Sequence, residues 1–440
     1  MEEELREFLN SKNAMDYHFD NTLIFDQLNS PYISDKPMII NDKADINYYI
    51  GFPWCSKRCS YCIYTCGVNS NERVFDDYLS MLVKELKLFP YYSSLPVSSV
   101  YFGGGTPTLL PAKMLQRHLE NILKNISLTN NPIITIETDV DNLVADKIDV
   151  FKEYVNRVSV GVQSFNTTIR RALNRKSSNE TVQYNLSKVI SQIPNVNVDL
   201  IYGLENSSLN DFLEDVEICV ALGVSSVTLY KLEIVKGTPC YSRFQVSPGK
   251  FPTNYQCTEY YIAARKLLLE HGYLEQPVGW FVLKQNSAKS WKERIDKWSM
   301  DLNYLGFGVN AYTHLPNYYS KNFSSYEKWS NRINNGKLPI ESFRHKNLFE
   351  TNFAKETRIL KSTKLLRNEY IENISHYEVK HMLLNLLNNY VRIGALKNTD
   401  IGYELTDNGT ALTYWLISEI SAILLDAIRG NNYACDRKLH

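Results

Sequence analysis

The stretch "YIGFPWCSKRCSYC", residues 49–62, sets Cys55, Cys59 and Cys62 in a C-x3-C-x2-C spacing directly after an apolar run. The chain has only eight cysteines in 440 residues, and a fourth of them, Cys66, follows just beyond. Ser56, Lys57, Arg58 and Ser60 lie between the thiols, so this loop is polar and not a core segment. Three thiolates this close can hold three corners of a cubic iron–sulfur cluster, which ordinarily takes four cysteines. One iron is then left without a protein ligand, and an open metal position can chelate another molecule, as an open zinc position does. A zinc site would need a fourth ligand, and the closest histidines in sequence are His18 and His118. Cys66 falls outside the spacing and reads as a small buried apolar residue.

Outward from this loop, short apolar runs alternate with longer amphipathic ones. "INYYIGF" (46–52), "SVYFGGG" (99–105), "IITIET" (133–138), "RVSVGVQ" (157–163), "VNVDLIYGL" (196–204) and "SSVTLYKLE" (225–233) are predicted strands. "FDDYLSMLVKELKLF" (75–89), "AKMLQRHLENILKN" (112–125) and "LNDFLEDVEICVALG" (209–223) are predicted helices. In the first of these, Leu79, Leu82, Val83 and Leu86 fall at helical spacing. Repeated strand–helix units predict an α/β domain with a parallel sheet and crossover helices. The strands read as apolar on both faces, as buried parallel strands are. An open sheet and a barrel both fit, and in either one ligands gather at the carboxyl ends of the strands.

Past about residue 275 the rhythm breaks. "DLNYLGFGVNAYTHL" (301–315) reads as one more strand and a turn. From about 348 the pattern is mostly helical, with "GALKNTDIGYELT" (394–406) as a hairpin between helices. The predicted organisation is an N-terminal extension (1–45), a core domain (46–320) and a helical, winged-helix-like module (345–430). Lysine plus arginine and aspartate plus glutamate number 48 each, which argues against a broad nucleic-acid footprint. The nearest approach to a membrane span, "LTYWLISEISAILLDAI" (412–428), carries Ser418, Glu419, Ser421 and Asp426 and predicts an amphipathic helix. "MEEELREFLN" has no charged-then-apolar leader pattern. A cytoplasmic location is expected, and there clustered cysteines bind metal or do redox chemistry more often than they form disulfides.

The cysteine stretch resembles the Tyr-x-His-x-Pro-Phe-Cys-x3-Cys-x2-Cys pattern of the oxygen-independent coproporphyrinogen III oxidase family, within the radical S-adenosylmethionine (SAM) enzymes. Further similar stretches follow in family order: "YFGGGTPTLL" (101–110), "RVSVGVQSFN" (157–166), "VDLIYGL" (198–204), "YLGFGVNAY" (304–312) and "YELTDNG" (403–409). The resemblance implies a partial (β/α)6 barrel and a [4Fe–4S] cluster on Cys55, Cys59 and Cys62. It implies reductive cleavage of cluster-bound SAM to a 5′-deoxyadenosyl radical, which removes a hydrogen atom from a held substrate. A flavodoxin- or ferredoxin-type electron donor is implied as well.

By the same matching, Tyr49 contacts the cofactor, Gly103 and Gly104 meet the amino and methionyl parts of SAM, and Gly105 and Thr106 face a second SAM. A glycine run lets backbone approach a ligand and present its N–H groups. Glu137 has the place of a ribose-binding carboxylate, although the family's Glu-x-x-Pro is here "ETDVDN". Gln163, Arg175 and Asp199 are expected at or just past later strand ends as contacts to the first SAM. Arg175 suits a carboxylate.

The branches of the family differ in substrate. Porphyrinogen decarboxylation goes with a further cysteine two residues after the third, where this chain has Tyr64, and Gly51 replaces the pattern's histidine. The haem-binding branch carries His-Asn-x-x-Tyr-Trp. "WKERIDKWSMDLNYLG" (291–306) keeps Trp298 but neither His nor Asn. Retention of "GTPT" beside both losses fits the class C methyltransferase-like branch, in which a second SAM supplies carbon to an sp2 carbon of a conjugated small molecule. Haem ring opening is a further alternative. Methylene addition requires a proton acceptor near the substrate, and Tyr230 and Glu233 in "TLYKLEIVKGT" (228–238) are candidates.

Overall fold

All six predicted strands form: β1 (Ile46–Phe52), β2 (Val97–Gly104), β3 (Leu128–Asp139), β4 (Arg157–Gln163), β5 (Val196–Tyr202) and β6 (Ser226–Lys231). The computed structural model describes residues 2–16, 30–31, 46–62, 67–89, 95–284, 303–346 and 348–429. Tyr64, Cys66, Trp298 and most of the 1–45 extension lie outside the described residues. β1 to β6 pair in chain order and all in parallel. Beyond β6 the sheet continues antiparallel through β8 (Trp280–Leu283) to β7 (Tyr273–Glu275). At its other side β9 (Asn303–Phe307) pairs with β1 in parallel, followed antiparallel by β10 (Tyr312–Leu315), β11 (Tyr318–Asn322) and β12 (Ile340–His345). Segment 301–315 therefore supplies two strands where the sequence suggested one. The sheet's two ends do not pair with each other among the described residues, so the barrel is partial.

Strand patterning fixes which face looks where. Tyr48, Ile50 and Phe52 of β1, Val100 and Phe102 of β2, Val158, Val160 and Val162 of β4 and Val196, Val198 and Leu200 of β5 are buried on the outer face. The crossover helices supply their cover. α2 (Glu72–Leu88) buries Phe75, Tyr78, Leu79, Leu82 and Leu86 at helical spacing, and Asn71 caps its start by accepting from Arg73 N–H. α7 (Leu209–Ala221) and α9 (Asn254–Glu270) open on capping boxes, Ser208 with Asp211 and Thr253 with Gln256. Further crossovers are α3 (Ala112–Leu123), α4 (Ala145–Tyr154), α5 (Thr167–Ala172), α6 (Asn179–Ile190) and α8 (Pro239–Val246). α1 (Glu2–Asn10) packs Leu5 and Leu9 into the core.

The inner face corrects the expectation of strands apolar on both sides. Its period-two positions are polar: Asn47 and Tyr49, Ser99 and Tyr101, Glu137, Arg157 and Ser159, Asn197 and Asp199, Thr228. Register aligns them in layers; Glu137 pairs with Ser159, Ser159 with Asn197, and Asn197 with Ser226. Helices cover only the outer face, so the inner groups satisfy one another, as in the 2.5 Å bond from Ser99 Oγ to Asn47 Oδ1.

After β12, which falls between the two predicted spans, the chain becomes mainly helical. α10 (Tyr326–Asn334) precedes it, and α11 (Leu348–Thr363), α12 (Asn368–Glu372), α13 (Tyr377–Arg392) and α14 (Asp407–Arg429) follow. The predicted hairpin forms as β14 (Leu396–Thr399) and β15 (Gly402–Leu405), with β13 (Leu365–Arg367) on the other side of β15. The module is tied to the core through buried Glu275, which pairs with Arg265 and Lys364 at 2.7 Å each. α14 buries Trp415, Leu416, Ile417, Ile420 and Leu424. Among the described residues no helix is long and apolar enough to cross a membrane.

Candidate active site

The cysteine loop leaves β1 at Phe52. Cys55 lies in a two-residue ladder, Trp54–Cys55 against Gly67–Val68, and Cys62 N–H closes a turn onto Cys59 O at 3.3 Å. All three thiols are free and half-buried. Their loop is held from several sides. Ser60 donates from N–H to Leu173 O and from Oγ to Ala172 O, at 3.3 and 3.0 Å. Asn174, left-handed at φ 64°, donates through Nδ2 to Arg58 O at 2.9 Å. Cys240 N–H reaches Ser60 O at 2.9 Å, and Lys57 pairs with Asp141 at 2.6 Å. These partners come from separate crossover connections, so the loop is a braced platform. Among the described residues no group of three or more His, Cys, Asp or Glu is placed to hold a single metal ion. A cube takes each thiolate on a different iron, so three free thiols on one braced loop can serve it.

The glycine run locks this platform onto β2. Gly104 has φ 111°, and a Cβ there would stand 2.8 Å from Phe52 O; one on Gly105 would collide with the Trp54 carbonyl. The N–H groups expected to face a ligand are engaged within the chain. Gly104 N–H donates to Glu137 Oε2 at 3.0 Å, Gly105 N–H to Phe52 O at 2.7 Å and Thr106 N–H to Trp54 O at 2.8 Å. Close backbone approach, not free donors, is thus what the glycines provide. Thr106 Oγ1 reaches Cys55 Sγ at 3.4 Å. Gly103 makes room for Glu137, whose Oε2 would lie 2.9 Å from a Cβ at that position.

Glu137 accepts from Tyr101 Oη at 2.6 Å. Burial pushes its carboxyl up to about 7; Asp199 adds repulsion, while Tyr101, Gly104 N–H and Arg157 pull the other way. Burial also raises Asp199, against Arg157, Asn197 and Ser159. Asp199 lies inside β5 rather than at its end, and accepts from Asn197 Nδ2 at 2.8 Å and Ser159 Oγ at 3.2 Å. Asn197 Oδ1 in turn accepts from Ser226 and Thr228, at 2.8 and 3.1 Å.

Gln163, buried, ends β4 at φ 71°. Arg175 lies beyond α5 yet folds back to the sheet. Its Nη1 donates to Gly161 O at 2.6 Å and its Nη2 to Tyr61 Oη at 3.4 Å. Its buried Nε has no hydrogen-bond partner among the described residues. Tyr49 stacks on Tyr101 at 6.1 Å. Tyr230 is half-buried at the end of β6, against a small apolar cluster that includes Ile201, Leu204 and Leu232 and also takes in Tyr61. Glu233, half-buried, follows the strand. Sequence reasoning passed over Tyr61, Tyr101, Arg157 and Asn197. The last three sit at period-two positions that would have marked them.

The radical SAM superfamily model matches residues 49–219, from Tyr49 through the cysteine loop into α7. Residues 49–219 are a radical SAM domain. This radical SAM protein is 27% identical over 269 residues to the heme chaperone HemW of Buchnera aphidicola subsp. Schizaphis graminum, covering 61% of this chain and 69% of that protein. It is 29% identical over 304 residues to the anaerobilin synthase of Escherichia coli O157:H7, covering 66% of each. Its fold is similar to that of the coproporphyrinogen III oxidase HemN from Escherichia coli, with a TM-score of 0.74 and 19% identity over 87% of this chain and 91% of that one. Radical SAM proteins of this kind use a [4Fe–4S] cluster and SAM. The residues present fit both groups. Three free thiols stand on a braced loop, and the orphaned Nε of Arg175 is a buried donor suited to a carboxylate.

Proposed function

We propose that this radical SAM protein is an enzyme acting on a tetrapyrrole, haem or a porphyrinogen. The observation that carries the reading is similarity, well beyond residues 49–219, to proteins named for haem, anaerobilin and coproporphyrinogen. None of those names concerns methyl transfer, so the class C methyltransferase reading gives way to its alternative. Tyr64 in place of the decarboxylation branch's cysteine, and the missing His-Asn pair, favour ring opening over decarboxylation or trafficking.

When bound, the cluster and SAM supply a 5′-deoxyadenosyl radical. The chain's own part is holding and shielding. Cys55, Cys59 and Cys62 anchor the cluster, with exposed Ser56 and Arg58 toward a flavodoxin- or ferredoxin-type donor. Arg175 takes the SAM carboxylate through Nε, and Glu137 the ribose hydroxyls once ionised. Gln163 and Asp199 line the same face, and Tyr49 flanks it. Tyr230 and Glu233 are the candidate proton acceptors at the sheet's carboxyl edge. A second SAM beside Gly105 and Thr106 would have to be held by groups other than their N–H donors, which are engaged.

The test is anaerobic incubation of the reconstituted protein with reductant, SAM and either haem or coproporphyrinogen III, followed by mass analysis. Tetrapyrrole-dependent cleavage of SAM with a changed ring mass supports the reading. S-adenosylhomocysteine and 5′-deoxyadenosine formed together on an unrelated aromatic would restore methyl transfer. A Soret shift without turnover would point to haem binding alone.

A further inference from the structure

The inner face of β1–β5 holds the residues assigned above to SAM. The same face of β9–β12 is so far without a role. We propose that it is the substrate wall, on which Lys321, Arg344 and their basic neighbours receive the carboxylate groups of a flat conjugated ring laid against the half-buried Tyr49 and Tyr304, with Tyr319 buried beneath Arg344. This rests on the tetrapyrrole reading and extends it to where and how the ring is held.

Register puts these side chains on one surface. Gly306 pairs with Tyr49 and Tyr304 with Asn47; Tyr304 pairs with His314, His314 with Tyr319, and Tyr319 with Arg344. Paired residues project to the same side of a sheet, so all share the side of Tyr49. The rings run without a break: Tyr101 to Tyr49 at 6.1 Å, Tyr49 to Tyr304 at 6.1 Å, Tyr304 to His314 at 6.4 Å, His314 to Tyr319 at 4.7 Å. Tyr101 is bonded to Glu137 at 2.6 Å, so the wall begins where the cofactor residues end.

Cations lie over two of the rings on this face. Arg344 Cζ lies 4.7 Å over the Tyr319 ring and Lys321 Nζ 5.5 Å over Tyr312. Burial, with Lys346, Arg358 and Arg344 around it, holds the His314 imidazole well below its ordinary range, so it stays neutral among cations. Glu341 falls at the bulge of β12, between Ser342 opposite Lys321 and Ile340 opposite Asn322, so it stands outside the alternation that places Arg344 and Lys321 on this face. Guanidinium groups beside aromatic faces suit planar polycarboxylates: the rings stack and the cations bind the acid groups.

The test uses the reconstituted full chain and equilibrium titration with coproporphyrin III and with its tetramethyl ester. The free acid is expected to bind at least about tenfold more tightly than the ester. The half-buried Lys321→Gln and the buried Arg344→Gln should each weaken the acid by about tenfold and leave the ester unchanged, while Arg344→Lys keeps part of the preference. An unaltered cluster absorption spectrum shows that a variant has folded. Equal binding of acid and ester by the unmodified chain, or unchanged acid binding in both Gln variants, overturns the wall and leaves the tetrapyrrole reading standing. Failure of acid, ester and haem alike to bind overturns both.

Discussion

β1–β5 and β9–β12 belong to one sheet and turn the same face inward, but only the first group adds carboxylates and amides to the tyrosines and cations that both carry. The first group presents carboxylates and amides, Glu137, Asp199 and Asn197, locked to one another and to hydroxyls at 2.6 to 3.2 Å. The second presents aromatic rings and cations, with Arg344 and Lys321 seated over tyrosines. Tyr49 touches both, stacking on Tyr101 to one side and lying tilted against Tyr304 on the other. A sulfonium cofactor with hydroxyls and an amino group fits the first surface, and a flat acidic ring fits the second. On the proposed reading, segregating the two lets one sheet face hold two ligands edge to edge without either competing for the other's contacts.

The largest break in this contrast is Cys59→Ala. Iron after anaerobic reconstitution should fall from about four per chain to near zero, and SAM cleavage to background, while the affinity for coproporphyrin III persists. If the ring is lost together with the iron, the two surfaces are not independent. Arg175→Ala comes next. Removing one charged hydrogen-bond donor from a buried site should weaken SAM by about 10- to 100-fold, with ring affinity unchanged, as read by equilibrium dialysis.

A smaller effect separates the halves by pH. The Glu137 carboxyl titrates near 7, pushed up chiefly by burial. Only its ionised form accepts from two ribose hydroxyls, so SAM affinity should rise as pH rises through about 7, by up to about tenfold between pH 6 and 8. Glu137→Gln should bind more weakly and lose that slope. Ring affinity has no such group on its side, where His314 stays neutral throughout, and should not follow the same curve. An identical slope in the Gln variant would assign the titration elsewhere.

The cofactor half was far more legible in the sequence than the wall. Cys55, Cys59 and Cys62 announce themselves by spacing, because a loop binding a rigid cluster must keep its intervals. The six strands were legible because each carries a short apolar run set off from the amphipathic stretches beside it. What misled was hydropathy averaged along a strand: "RVSVGVQ" and "VNVDLIY" look uniformly apolar, yet Arg157, Ser159, Asn197 and Asp199 recur at every second place. The sequence also suggested that the glycines free their N–H groups for a ligand, and the fold instead uses them to seat the Trp54 backbone. Arg175 was found through resemblance, but its return to Gly161 O depends on a loop path that no local pattern encodes. The wall was hidden because antiparallel register brings Tyr304, His314, Tyr319 and Arg344 together from four strands, and their spacing in sequence carries no period linking them.

The smallest effect belongs to neither surface and serves as the control on both. Glu85, on α2, lies behind the sheet, where it accepts from Gly308 N–H at 2.8 Å and Asn322 Nδ2 at 2.7 Å. Burial pushes its carboxyl up from 4.5 to about 8, against those two bonds. Between these values the folded chain keeps a proton that the unfolded chain has released. Its contribution to stability is therefore greatest below about 4.5 and declines as pH rises toward about 8. Glu85→Gln keeps an acceptor for Gly308 but cannot titrate. Its melting temperature should fall less than that of the unmodified chain between about pH 5 and 8, by a few degrees in a calorimetric scan, since one kcal/mol moves Tm by about 2–4 °C even in smaller domains. Affinities for SAM and for the ring should hold, because Glu85 faces the helix layer and not the cavity. A parallel fall in both proteins would mean that the carboxyl is already ionised where it lies, and a change in either affinity would mean that the Gly308 turn helps shape the cavity it borders.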